Sequence, residues 1–333
     1  MSRTGHPLAY IDSMTQDTNT LPQPAPAPEV SVLMACRNGL PFLEEALDGL
    51  AAQTLRDWEL ILVDGGSTDG SVELARRYGP RVRIVSALDR PRPGEARNRA
   101  AALARAPFLA FLDADDRWRR DKLERQVALL RRSGAVLVYS DCCVVDGAGR
   151  ALGRYLDRHR PARGAVAPAL VRENFIPLST VLVTRAAFQE VGGFPPGYWA
   201  AADYAFTLKV SSLGDFEYEM EALADYRVHA RSLTRDFRMT YQENVLLYRT
   251  LLAEATDAAG RGRARRALGV LYWRWALREV AGGCLTRAVG LAGEAVGATG
   301  LSGAAGTLLS AIASWLRGLR LRARMARARR TTC

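Results

Sequence analysis

"PFLAFLDADDRW" (107–118) runs six apolar residues straight into three carboxylates. Packing is no reason for them, because Asp113, Asp115 and Asp116 at this spacing repel one another unless a cation or solvent screens them. The apolar half has the length and continuity of a strand buried on both faces. Three earlier stretches share that texture: "VSVLMAC" (30–36), "WELILVD" (58–64) and "VRIVSA" (82–87). Between them lie "LPFLEEALDGLAAQ", "DGSVELARRYG" and "GEARNRAAALARA", which have helical spacing. Strand and helix in alternation predict right-handed βαβ units and a parallel sheet. In such a sheet ligands gather at the carboxyl ends of the strands, where "VDGGSTDG" (63–70) and "DADD" both fall.

Further along, "AVLVYSDCCVVD" (135–146) reads as another strand, and Arg150 to Arg172 as an irregular, basic, mobile loop. "LSTVLVTR" (178–185) is a second apolar run, and "VGGFPPG" (191–197) enforces a turn. A helix is expected over "AADYAFTLKVSSLG" (201–214), then a strand and loop over "EALADYRVHARSLT" (221–234). After about residue 240 the pattern is helical and Arg-rich. Ala295 to Leu316 carry no charge and are long enough to span a membrane, but Gly, Ala, Ser and Thr make the stretch weakly hydrophobic. Leu308, Ile312, Trp315, Leu316 and Leu319 share one helical face and Arg317, Arg320, Arg322 and Arg324 follow, which predicts an amphipathic helix on an anionic membrane surface.

The chain of 333 residues, 48% hydrophobic, is long enough for one large domain or two ordinary ones. Its net charge of +11 resides in the tail: from Arg261 onward there are 14 Arg, no Lys and two acids. A nucleic-acid-binding core is therefore not expected. The five cysteines are odd in number and lack C-x-x-C spacing, which argues against a zinc site or disulfide framework and for a reducing, cytoplasmic setting. The polar N-terminus ends in "LPQPAPAPE", which predicts a disordered leader and no secretory signal. The expected division is a leader (1–28), a catalytic domain (29–235) and an Arg-rich helical region (236–333).

Two carboxylates one residue apart at a strand end can chelate a hard divalent cation; the alternative is a solvated loop before "RWRRDKLERQ". In "VDGGSTDG", Asp64 can accept hydrogen bonds from a base or ribose while Gly66 allows close approach, or the stretch is an ordinary turn whose Ser67, Thr68 and Asp69 cap the next helix. Arg97 can hold a phosphate or orient Asp113. Asp203 is either a general base or a cap, and His229 can contact a metal or a diphosphate.

Taken in order, "VSVLMACRNGLPFLEEALDGLAAQT", "WELILVDGGSTDGS", "GEARNRA", "FLDADD", "STVLVTRAAFQEVGGF", Asp203 and "YRVHARS" resemble the inverting family 2 glycosyltransferases. The likeness spans Glu29 to Thr234. It implies a GT-A fold, a Rossmann-like α/β domain with a mostly parallel central sheet flanked by helices. It also implies transfer of a sugar from a nucleotide-diphosphate donor, UDP- or dTDP-linked, to a hydroxyl of a glycan or lipid-linked acceptor, with Mg2+ or Mn2+. By the same resemblance Ala35, Arg37, Asp64, Gly66, Arg97, Asp113 and Ala114 border the nucleotide sugar. Asp113, Asp115 and His229 approach the metal, and Asp203 is the catalytic base. Two positions depart from the family pattern, where acids are common: Gly65 follows Asp64, and Ala202 precedes Asp203. A sugar-phosphate nucleotidyltransferase and a membrane-associated scaffold with a degenerate transferase domain are the competing readings.

Overall fold

The computed structural model describes residues 27–157, 159–233 and 236–330, without the side chains of Ser314 and of residues 317–330. All but the last two residues of the expected leader lie outside the described residues.

The apolar runs form β1 (Val30–Cys36), β2 (Trp58–Asp64), β3 (Val82–Ser86) and β4 (Phe108–Phe111), joined through α1 (Leu43–Ala51), α2 (Ser71–Arg76) and α3 (Pro93–Leu103). They pair in parallel in the order β3-β2-β1-β4. Successive side chains point to opposite faces, and both faces are covered. Leu33, Ile61, Leu109 and Phe111 enter one core cluster while Val32, Leu60, Leu62 and Ala110 enter another. That double burial is why β1, β2 and β4 lack polar alternation; β3, at the sheet edge, is half-exposed.

The chain continues through β5 (Arg117–Trp118), α4 (Lys122–Ser133), β6 (Leu137–Asp146), β7 (Ala151–Arg154), α5 (Ala167–Arg172), β8 (Leu182–Thr184), α6 (Arg185–Glu190), α7 (Ala202–Val210) and β9 (Phe216–Val228). One sheet results, ordered β3-β2-β1-β4-β8-β6-β9-β5 with β7 on β6. Its second half is mixed, since β8 runs against both β4 and β6, and β5 against β9. The run 178–185 is only partly strand, because a 3-10 turn occupies Leu178–Thr180. The stretch expected to be an irregular loop contains β7 and α5. Arg154 Nε on Asp141 Oδ2 (2.6 Å) and Tyr139, whose hydroxyl donates to Ala162 O (2.6 Å) and accepts from its N–H (2.9 Å), tie it to β6.

Three helices end the described chain: α8 (Phe237–Glu254), α9 (Ala258–Ala281) and α10 (Leu285–Arg330), the last broken at Gly300. Leu247, Tyr248, Leu268, Leu271 and Trp275 share the core cluster that holds Phe111 and Phe206. Gly269 lets α10 approach α9, because a Cβ there would lie 2.5 Å from Thr299 Cγ2. Leu285–Ala313 is long and apolar enough to cross a membrane by length and composition. Of the predicted amphipathic face, Trp315 and Leu316 are exposed; the side chains of Leu319 and the arginines after it lie outside the described residues.

Candidate active site

The carboxyl ends of β1 and β4, the start of α3 and α7, and the end of β9 open into one cleft of about 860 Å³. Asp113, Ala114 and Asp115 line it just past β4. Oxygens of Asp113, Asp115 and Asp116 lie within 4.8 Å of one another. Each carboxylate has a different neighbour. Arg97, buried on α3, donates through Nη2 to Asp113 Oδ1, while its own Nε is left without a partner. Asp115 Oδ2 is 2.8 Å from His229 Nε2. Because His229 Nδ1 accepts from the Arg231 N–H (3.2 Å), the ring proton sits on Nε2 and is donated to Asp115. In this arrangement His229 steadies Asp115.

Asp116 turns inward, where its Oδ1 accepts the Arg227 N–H (2.8 Å) and its Oδ2 is buried without a partner. Arg227 spans the site: Nε donates to Asp115 O (2.9 Å), Nη2 to Glu45 Oε2 (2.7 Å), and the guanidinium lies 4.7 Å from the Phe42 ring centroid. Nothing local in "YRVHARS" marks that role, since a buried arginine declares itself only through partners far away in the chain. Burial, and then the charge of Asp113, push the Asp115 carboxyl up, with His229 opposing; burial pushes Asp116 well up. A partly buried cluster of hard oxygens, in which Asp116 Oδ2 is buried without a partner, fits a divalent cation of the Mg2+ or Mn2+ type.

Asp203 lies in the first turn of α7 and lines the same cleft. Its Oδ1 accepts the Tyr204 N–H (2.7 Å). Burial raises its pKa to about 6, against the pull of that N–H and of Arg97. Asp203 is not the cap of α7, whose cap position is Ala201; it lies inside the first turn, bonds the next N–H and faces the cleft. Ala202 has a steric reason: a Cβ on Gly94 would stand 3.1 Å from the Cβ atoms of Ala202 and Phe194, so α3 and α7 touch where an acidic side chain would be buried.

Two residues that sequence reading missed hold this end. Asn98 Nδ2 donates to Phe194 O (2.8 Å) and its Oδ1 accepts from Phe194 N–H (2.9 Å). Glu243 of α8 accepts the N–H groups of Trp199, Ala200 and Ala201 at 2.8 to 2.9 Å. The nearby acids Asp215 and Asp225 do not line the cleft, and Arg117 Nε holds Asp225 at 2.9 Å.

Ala35, Arg37 and Gly65 line the wall at the β1 end, whereas Asp64 and Gly66 do not. Asp64 accepts from the Gly66 and Ser67 N–H groups (3.2 Å), closing its own turn. Ser67, Thr68 and Asp69 were expected as caps of the following helix, but Gly70 holds the cap position and only Asp69 reaches the helix, accepting the Ser71 N–H (3.1 Å). Ser67 and Asp69 brace the loop after β1, Ser67 Oγ accepting from Asn38 N–H (2.8 Å) and Asp69 Oδ2 from Leu40 N–H (3.0 Å).

Residues 31–187 match the glycosyl transferase family 2 profile. TuaG of Bacillus subtilis (strain 168), named as a teichuronic acid biosynthesis glycosyltransferase, is 27% identical over 67% of this chain and 88% of its own. A PGL/p-HBAD biosynthesis glycosyltransferase of Mycobacterium bovis is 31% identical over 56% of this chain and 71% of its own. In structure, S. aureus TarS 1-349 in complex with UDP-GlcNAc matches with a TM-score of 0.61 at 17% identity, over 81% of each chain. Against another S. aureus TarS crystal structure the match spans 43% of that chain. The mannosyltransferase PcManGT of Pyrobaculum calidifontis, in complex with GDP-Man and Mn2+, matches with a TM-score of 0.60 at 21% identity, over 94% and 87%. The chain belongs to glycosyl transferase family 2 and is a glycosyltransferase of the GT-A fold.

Proposed function

We propose that this protein transfers a sugar, with inversion, from a UDP- or dTDP-sugar to a hydroxyl of a cell-envelope glycan, polysaccharide or glycolipid. The observation that carries the reading is Asp203 facing the same cleft as Asp113 and Asp115, with Arg97 near both. Asp203 takes the proton of the acceptor hydroxyl; the freed oxygen bonds to the anomeric carbon as the bond to the diphosphate breaks and its electron pair leaves on the diphosphate oxygen. One carboxylate on the acceptor side suffices for that single displacement. Arg97 holds Asp113, and His229 with Arg227 holds Asp115, so the acidic pair is fixed before substrate arrives. A Mg2+ or Mn2+ ion held by Asp113 and Asp115 would offset the charge of the leaving diphosphate.

The envelope assignment is supported by the relatives named for teichuronic acid and PGL/p-HBAD biosynthesis, and the donor class by neighbours solved with UDP-GlcNAc and GDP-Man. Residues 29–235 form the catalytic domain in this reading, and 236–333 a region that buttresses it and contacts the cytoplasmic membrane face peripherally. Calorimetry with UDP, dTDP, GDP and CDP, with and without Mn2+, tests it on the wild type and Asp115→Ala. Manganese-dependent binding of one nucleotide, lost in the variant, is expected; indifference to all four would reject the transferase mechanism. The anomeric configuration of the product, read by NMR, tests inversion.

A further inference from the structure

Past Asp203 the cleft continues between α5, α8 and α9, where Arg172, Arg274, Arg278 and Asn244 line it. Among the described residues no carboxylate lies within ion-pair distance of these three guanidinium groups, although the region holds acids. Glu173 pairs with His159 (3.2 Å), Glu243 is taken up by the amides before α7, and Glu279 by Arg238, Arg287 and Trp275. Arg274 is half-buried and acts electrostatically on Tyr204 and Tyr248, as does Glu173, which lines the same cleft. Arg278 lies 4.5 Å from the Phe237 ring centroid. Asn244 Oδ1 is buried without a hydrogen-bond partner, so a hydroxyl or amide donor is missing there.

Cations sharing one wall repel each other, and an anion that completes the set relieves the repulsion, most at half-buried Arg274, Arg172 and Arg278 being exposed. The donor's diphosphate is an unsuitable candidate, since its counter-charge belongs at the strand ends with Asp113 and Asp115, while these arginines come from α5 and α9. We infer that the acceptor is anionic: a phosphate or carboxylate near the accepting hydroxyl binds Arg172, Arg274 and Arg278, and Asn244 Oδ1 receives one of its hydroxyls. This rests on the transferase reading above. Guanidinium forks match both anions, so the wall itself does not choose between a phosphorylated and a uronic acceptor.

The test uses the full chain with Mn2+ and the nucleoside diphosphate that binds it, titrated with octyl β-glucoside, its 6-phosphate and octyl β-glucuronide. At least one anionic probe is expected to bind about tenfold or more tightly than the neutral glucoside, as loss of charge-assisted bonds predicts. The tighter of the two names the anion. In Arg274→Gln/Arg278→Gln that preference should vanish while nucleotide binding is unchanged; Arg172→Gln, on an exposed position of α5, should weaken it and serves if the double variant does not fold. Equal binding of all three probes, absence of probe binding, or a preference that survives the substitutions overturns the inference. Failure of the wild type to bind any nucleotide would instead reject the transferase reading beneath it.

Discussion

Asp115 Oδ2 and His229 Nε2 stand 2.8 Å apart although 114 residues separate them in the chain. The His229 ring also lies 4.6 Å from Phe42, so the imidazole is wedged as well as hydrogen-bonded. Such a partner fixes a metal-binding carboxylate in orientation, and its removal typically costs about 10- to 100-fold in metal affinity. His229→Ala is expected to weaken manganese-dependent nucleotide binding by that amount, measured by calorimetry, while Asp115→Ala abolishes it. Unchanged affinity in His229→Ala would reduce the ring to a packing group.

As the proposed base, Asp203, whose pKa burial raises to about 6, should set the acid limb of the rate. A base works deprotonated, and burial has raised this carboxyl, so kcat/KM should rise with pH through about 6 and level off above it. Asp203→Asn should lower kcat by about a hundredfold to ten-thousandfold with donor binding intact, and the limb should disappear from the residual activity. A limb that persists in the variant assigns the titration to another group.

The sheet to β4 was legible because its burial on both faces leaves a local trace, an unbroken apolar run. The second half was less so: β9 begins at Phe216, whereas a strand was expected only from Glu221. Asp113, Asp115 and Asp203 stood out because acids beside apolar runs need a reason. Arg227, Asn98 and Glu243 did not, since each acts on backbone distant in sequence. Nor did the sequence show that α8 and α9 wall the cleft, which depends on how Leu247, Leu268 and Leu271 pack onto the sheet's core.

Glu243 ties the C-terminal helices to the start of α7. Its carboxylate gathers N–H groups ahead of α7, where the helix dipole also favours negative charge. Glu243→Ala should cost about 2 kcal/mol or more, since bonds to a charged acceptor are worth about 1.5 to 3 kcal/mol each. Glu243→Gln should retain the fold and lower kcat more than it changes donor KM, because the base shifts while the nucleotide wall does not. Parallel changes in kcat and KM would show a general structural role.

Gly94 sets the distance between the helix of Arg97 and the helix of Asp203. With 3.1 Å to Ala202 Cβ and Phe194 Cβ, both attached to backbone, an added side chain must push α7 outward. Gly94→Val should cost about 1 to 3 kcal/mol in a urea titration, as overpacking does. Its kcat should fall in the folded fraction with nucleotide affinity preserved. Wild-type turnover in a folded Gly94→Val would mean that α7 need not lie against α3.

Lys122 offers a test of the interior away from the cleft. It is fully buried, donates to Gln126 Oε1 (2.6 Å) and lies 4.1 Å from the Trp118 ring centroid. One amide oxygen and one ring face do not replace the hydration of an ammonium, and burial pushes its pKa well below 10.5. Folded Lys122 therefore loses its proton at lower pH than the unfolded chain does. Between the two pKa values the unfolded state binds more protons, so stability rises with pH towards 10.5 and falls as pH drops, by about 1.4 kcal/mol per pH unit for this group. Lys122→Met removes the titration and keeps the volume. Urea midpoints at several pH values should show the variant at its greatest advantage at the lowest pH, with the gap closing as pH rises. A constant gap favouring wild type would mean that Trp118 and Gln126 hold the charged form after all.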